Sequence, residues 1–480
     1  MLQNKDIAKI QEIKIHFNDT WISPEFFKKY LDLFKINKAS KIFKSVKETG
    51  VPFGEVINLL LILPFTISKT INSLYTSKFT PSTKGKKDVY YRALSNQKIN
   101  WRNILLLFVK RYLSLDQRLK SSTDNIKCLI FDDTDIEKSG KIIEGVSKIY
   151  NHVTKTYVFG YKLFVAGYWN GSVFIPVDFS FHREYKDNKK KKYGLSKKEY
   201  KNQKKTKRDI KQPVIKRYKE LNAKKTDILI QMFKRIKKRK IDVDYILFDS
   251  WFTSILLISK LLKISCKINI IGMYKYNSKV KIEGTVNTIK QLRKQKKNLK
   301  RSRKYNFYFL NYTGLIDDVE VKVFIIRKGK RGAWHTIIST DTTLNFNQMM
   351  SIYKKRWTIE VFFKEAKQLL GLGTSQSTNF DVQVAQTTIN MIQYLLVSLK
   401  FRQQAYESID GLFKDIKQDF IEHKLDDRIM LAIVELIAVL EFIIEDFNIE
   451  ATISKLIHYN EKFDFLIYLQ EKEKNCKLAA

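Results

Sequence analysis

Two short apolar runs, each ending in aspartate, constrain this chain more than any other feature. Lys127 to Phe131 (KCLIF) runs into Asp132 and Asp133, and Asp244 to Phe248 (DYILF) runs into Asp249. Short apolar runs bounded by polar residues read as buried strands. Between them, Tyr157 to Trp169 and Ser172 to Phe181 are strand-like and flank Asn170-Gly171, a strong hairpin signal. Thr226 to Lys237 and Thr253 to Leu262 carry helical periodicity, and Ile268 to Met273 is a further apolar run. Strand, hairpin strands, helix, strand, helix, strand predicts an α/β fold, a mixed sheet flanked by helices. Side chains at the carboxyl ends of such strands are where open α/β sheets place ligands.

On either side the pattern changes. Glu25 to Phe43 and Glu55 to Tyr75 have apolar residues at helical spacing, punctuated by Pro52, Pro64 and Pro81. This basic N-terminal part reads equally as a DNA-binding bundle or as a cap on the next domain. After Lys279 come a basic stretch, Lys290 to Lys304, and three strand-like runs, Tyr305 to Leu310, Val319 to Ile326 and Trp334 to Ser339. A long helix, Phe346 to Leu370, follows, with Gly371 placed to cap it. Val382 to Phe401 and Ile429 to Phe442 are further helices, the latter apolar enough for either interface or core.

Charge narrows the partner. The 480 residues carry 89 Lys and Arg against 49 Asp and Glu, a net charge of +40. An AT-rich coding sequence would favour Lys, but it would not remove acids, so much of the excess points to a polyanion. The densest run, Tyr185 to Lys225, reads equally as a solvated loop or an electrostatic groove. Cys128, Cys266 and Cys476 are too far apart in sequence to form a CxxC pair, so neither a disulfide framework nor a zinc site is supported, and a reducing cytoplasmic setting is expected. No apolar run is long enough to span a bilayer, and Met1 to Ile15 lacks a signal-peptide core.

The most informative segment surrounds Glu360. At about 100° per residue, Tyr353, Arg356, Glu360 and Lys367 fall within an arc of roughly 60°. Ile359, Phe362, Phe363 and Ala366 occupy a separate apolar arc. The bland reading is an exposed helix with i,i+4 ion pairs such as Glu360 with Lys364. An acid flanked by Arg and Lys on one stripe instead suits a site that binds a metal and phosphates together.

Y-x2-R-x3-E-x6-K resembles the signature of a large group of bacterial insertion-sequence transposases of the DDE class. Phe131-Asp132-Asp133-Thr134 resembles that group's first acidic motif and Leu247-Phe248-Asp249-Ser250 its second. The resemblance spans about 126 to 373. It implies an RNase H-like core in which Asp133, Asp249 and Glu360 coordinate two Mg²⁺, with Mn²⁺ able to substitute. It further implies DNA contacts from Tyr353, Arg356 and Lys367, stacking of Trp334 on a displaced base during hairpin formation, and a homodimer that synapses two DNA ends. Residues 1–115 would then be a helical DNA-binding region, 116–278 the first part of the core, 279–345 a β-rich insertion, 346–402 the second part of the core, and 403–480 a helical C-terminal region.

Asp133 is chosen over Asp132 because Thr134 follows it; strand alternation sets the two on opposite faces without deciding which ligates. Asp178 reads as solvent-facing rather than a fourth acid. Glu365, about 140° from Glu360, is a poor third ligand. His152, His182 and His335 have no partners at ligand spacing. A cut-and-paste transposase acting on terminal inverted repeats fits best. A structure-specific nuclease or resolvase on the same fold is the alternative, and a non-enzymatic basic DNA-binding protein leaves the three acids unexplained.

Overall fold

The computed structural model describes residues 33–34, 50–66, 70–76, 85–117, 126–151, 154–184, 194–275, 278–294, 299–403 and 408–418. The chain divides into two compact units, one of residues 25–416 and one pairing 1–24 with 417–480. Every element below belongs to the first. Most of the helix expected over Glu25 to Phe43, and all of that over Ile429 to Phe442, lie outside the described residues.

The expected N-terminal helix is broken at proline. α1 (Phe53–Ile62) passes into a 3-10 turn at Leu63–Phe65 that contains Pro64, and α2 (Ile71–Thr76) starts afresh. A proline lacks the N–H an α-helix interior needs. α3 (Lys87–Leu94) and α4 (Trp101–Asp116) follow, the latter capped by the Asn100 side chain, which accepts from the Asn103 N–H at 3.1 Å.

The core then opens with β1 (Cys128–Glu137), β2 (Ser147–Asn151), β3 (Thr156–Trp169) and β4 (Phe174–His182). The Asn170-Gly171 turn joins β3 to β4: Gly171 takes φ 102°, and the Asn170 Oδ1 accepts from the N–H groups of Ser172 and Val173 at 3.0 and 2.9 Å. α5 (Lys197–Asn202), α6 (Val214–Glu220) and α7 (Lys225–Lys238) lead to β5 (Tyr245–Phe248), α8 (Ile255–Ile264) and β6 (Asn269–Tyr274). β1 pairs antiparallel with β3 and parallel with β5, while β5 pairs parallel with β6. The spatial order of these strands is β4-β3-β1-β5-β6.

The strand-rich segment after β6 is part of the same sheet. It contains β7 (Lys279–Ile282), β8 (Thr285–Thr288), α9 (Ile289–Lys294), β9 (Lys300–Ser302), β10 (Phe307–Ile316), β11 (Val319–Lys328) and β12 (Trp334–Ser339). β12 pairs antiparallel with β6, so twelve strands share one hydrogen-bonded sheet. The fold is mixed α/β, a large mixed sheet flanked by helices.

α10 (Phe346–Tyr353), a 3-10 turn (Lys354–Trp357) and α11 (Thr358–Gln368) replace the single expected helix. Phe362 packs on Phe174 of β4 with ring centres 5.2 Å apart. Gly371, at φ 71°, closes the helix where the Leu372 N–H bonds the Ala366 carbonyl at 2.9 Å. α12 (Phe380–Gln403) is buried along most of its length. Among the described residues no helix is long and apolar enough to cross a membrane.

Candidate active site

β1 and β5 run side by side with Ile130 opposite Leu247 as their last paired position. Two residues further on each come Asp132 and Asp249. Asp249 ends its strand in a tight turn: its Oδ1 accepts from the N–H groups of Trp251 and Phe252 at 3.0 and 3.2 Å, and its carbonyl accepts from the Thr253 hydroxyl at 2.6 Å. Gly272 of β6 makes room for that hydroxyl, since a Cβ there would meet it at 2.3 Å.

The signature residues are joined to these strand ends. Arg356 donates to Asp132 at 3.1 Å and to Glu360 at 2.8 Å, so one guanidinium links the first acidic motif to the helix acid. The side chains of Arg356 and Asp132 are 12% and 16% exposed, against 38% for Glu360, which therefore faces the open side. The Tyr353 hydroxyl donates to the Phe248 carbonyl at 3.1 Å, next to Asp249. Lys367 donates to the Thr134 hydroxyl and the Asp135 carbonyl, both at 2.8 Å. Tyr353 is buried, and its phenol is pushed up to about 12 by desolvation. The Tyr353 hydroxyl and the Lys367 ammonium thus bond protein groups that fix the strand ends.

The structure separates the two adjacent aspartates. Successive side chains on a strand point to opposite faces. Asp132 meets Arg356, while Asp133, the acid expected to ligate, is ion-paired with Lys225 at the start of α7. The Thr134 hydroxyl that follows Asp133 accepts from Lys367 at 2.8 Å. Burial raises the Asp132 carboxyl to about 7 despite the Arg356 charge, with Asp249 and Asp133 adding to the rise. Burial also lifts Asp249 above the ordinary carboxylate value. Among the described residues no three His, Cys, Asp or Glu side chains already form a metal-holding cluster. Arg356 stands between two of the acids.

Other expectations resolve differently. Asp178 is not solvent-facing: it is wholly buried on β4, held by Arg102 at 3.0 Å, Arg217 at 3.4 Å and Arg235 at 2.8 Å. Alternation fails as a guide here because every residue of β4 is buried. Part of the basic run is structural, since Arg208 is 3% exposed and paired with Glu144 at 2.6 Å and Asp381 at 2.9 Å. His182 is a buried polar residue, its Nδ1 3.1 Å from the Ala223 carbonyl and its Nε2 2.8 Å from the Ser180 hydroxyl. Trp334 opens β12, half-buried, with the Arg327 guanidinium 4.8 Å from its ring centre. Sequence reasoning had no signal for Lys225 or Thr253; a lone lysine in a basic run and a threonine after a strand are unremarkable until folded.

Acids at adjacent strand ends, buttressed by a basic helix, define a nuclease-type enzyme once set beside its relatives. Residues 66–277 match the family described as DDE superfamily endonuclease, and residues 188–404 match the family described as archaeal putative transposase ISC1217. Between them the two models cover residues 66–404, over which the chain is similar to DDE-type endonucleases and transposases. No curated protein matches it. Among solved structures it is similar to a piggyBac transposase synaptic complex with hairpin DNA, at 12% identity and a TM-score of 0.37, over 86% of this chain and 81% of that one.

Proposed function

We propose that this protein is a DNA transposase that cleaves the ends of its own element and joins them to target DNA, with Asp132, Asp249 and Glu360 holding two Mg²⁺. The observation that carries this reading is the Arg356 bridge, which ties Glu360 to a strand-end acid lying beside Asp249. The strand order β4-β3-β1-β5-β6 supports an RNase H-like core.

The residues fit a divalent cation. Their oxygens are hard donors of the type Mg²⁺ takes, few in number, as suits an ion that keeps several waters. Burial, with a smaller push from Asp249 and Asp133, keeps Asp132 from ionising readily where it sits, and a bound cation would favour its charged form. When bound, two such ions would supply the charge that neutralises the phosphodiester, activates the attacking oxygen and stabilises the leaving one. This chain's residues do the rest. Tyr353 and Thr253 hold the backbone on either side of Asp249 so that its carboxylate keeps its aim. Arg356 anchors Asp132 and is placed to pass to a phosphate oxygen when the acids take up cations. Lys367 pins α11 to β1 and keeps Glu360 in range. Trp334 offers a base only the ring face that Arg327 leaves open. The excess of basic residues serves DNA binding, and two copies bridge two ends.

The test is direct. Incubate the full chain with Mg²⁺ and the DNA flanking its reading frame, map the cut ends, and repeat with Glu360→Gln. Cleavage with joining, lost in the variant while DNA binding persists, supports the reading. Cutting without any joining favours a nuclease or resolvase, and parallel loss of binding makes the Glu360 helix merely structural.

A further inference from the structure

A cavity of about 360 Å³ opens where the start of α4, the start of α6 and the last turns of α7 meet. Its wall holds three guanidinium groups, Arg102, Arg217 and Arg235. They share two acids, Asp178 and Glu220, with Arg102 reaching Glu220 at 2.8 Å and Arg217 at 3.8 Å, so one positive charge is left over. Two exposed lysines, Lys211 and Lys216, stand at the same wall and add to the excess.

The second observation is independent of the charge count. Arg217 is 5% exposed, yet its Nε and Nη2 have no hydrogen-bond partner among the described residues. Trp101, 3% exposed, also lines the cavity, and its indole Nε1 lacks a partner in the same sense. Buried donors are nearly always bonded, so each orphan calls for an acceptor. Burial and the neighbouring Arg102 push Arg217 down to about 9 against the pull of Asp178 and Glu220. Water would accept these hydrogen bonds but would leave the charge unbalanced.

We propose that this cavity binds a phosphate group through Arg217 and Trp101, with Lys211 and Lys216 at its entrance. Phosphate brings several acceptor oxygens and negative charge together, which matches unpartnered N–H donors lining one cavity beside a surplus cation. The volume is on the order of ten waters, ample for such a group. A second cavity of about 340 Å³ shares Arg102 and Arg235 and adds Lys238 and Arg239, so the cationic surface continues past this one.

The probe is inorganic phosphate, and the readout is stability rather than cleavage. Thermal unfolding of the full chain is followed in low-millimolar sodium phosphate and in sodium chloride of equal ionic strength, below the concentrations at which phosphate stabilises proteins generally. Phosphate should raise the midpoint and chloride should not. Trp101→Phe, which removes one donor and no charge, should weaken the apparent phosphate affinity about tenfold, the weight of one hydrogen bond to a charged group. Lys211→Gln with Lys216→Gln alters only exposed side chains and should weaken it similarly, which keeps the test alive if the tryptophan variant folds poorly. Phosphate that also competes with a DNA duplex in the wild type but not in the lysine variant assigns the group to a DNA backbone; stabilisation without competition assigns a free anion. Equal midpoints in the two salts, or a phosphate shift unchanged in both variants, would mean a merely hydrated cavity and overturn the proposal.

Discussion

Replacing Asp178 with Asn tests whether the buried charge network is understood. The substitution keeps size and removes one negative charge from a carboxylate touched by three guanidinium groups at 2.8–3.4 Å. Three arginines would then face Glu220 alone. Leaving a buried ion without its partner costs about 3–5 kcal/mol. Glu220 stays near Arg102 and Arg217, so we expect the lower end, about 3 kcal/mol. Burial opposes ionisation of Asp178, yet Arg102, Arg235 and Arg217 hold its carboxyl well below the ordinary 3.8. A depressed acid contributes stability that is present above its unfolded value and fades as pH falls towards its folded one. The gap between wild type and variant should therefore be full at pH 7, still full at pH 5, and narrow only below about 4. Urea unfolding at these pH values measures it. Adding Arg217→Met to the variant should recover part of the loss, because one uncompensated cation is gone. A change under about 1 kcal/mol at pH 7, far below the cost of an orphaned buried charge, or a gap that closes between pH 7 and 5, would refute the account.

Further outcomes follow from the same structure. Asp132→Asn should reduce Mg²⁺-dependent cleavage on the order of 10²–10³-fold, whereas Asp133→Asn, which only loosens Lys225, should cost less than about tenfold; a gel assay of the two variants showing the reverse order restores Asp133 as the ligand. Gly272→Ala should drive its new methyl into the Thr253 hydroxyl, cost about 1–3 kcal/mol in unfolding experiments, and lower cleavage by shifting the Asp249 turn; unaltered stability would show that β6 yields freely. Burial holds His182 down to about 4 from 6.5, so stability complete above pH 6.5 should be lost as pH falls to 4, by up to about 3 kcal/mol. His182→Asn should flatten that slope, and an unchanged pH profile would place the sensitivity elsewhere.

Strand ends and helix faces were legible because each is written in contiguous residues. KCLIF and DYILF form β1 and β5 side by side, and the Asn170-Gly171 turn lies where its chemistry puts it. What escaped depends on partners distant in sequence. Nothing near Asp178 announces Arg102, Arg217 and Arg235, which come from three helical segments. Which of Asp132 and Asp133 lies on the α11 side depends on Arg356, which bonds Asp132 from more than two hundred residues away. Helical periodicity placed Tyr353, Arg356, Glu360 and Lys367 together but not their bonds to the strand ends; it also ran straight through the 3-10 turn at Lys354–Trp357.

The pairing of β12 with β6 changes what the segment from Lys279 to Ser339 is. It cannot be excised as an appendage. Cutting it out would strip the hydrogen-bonding partner from the strand that houses Gly272 and expose a raw sheet margin, open to sticking to other chains. The stretch beside β6 is part of the support for the Asp249 turn, and whatever the far strands grip shares one hydrogen-bonded sheet with the acids.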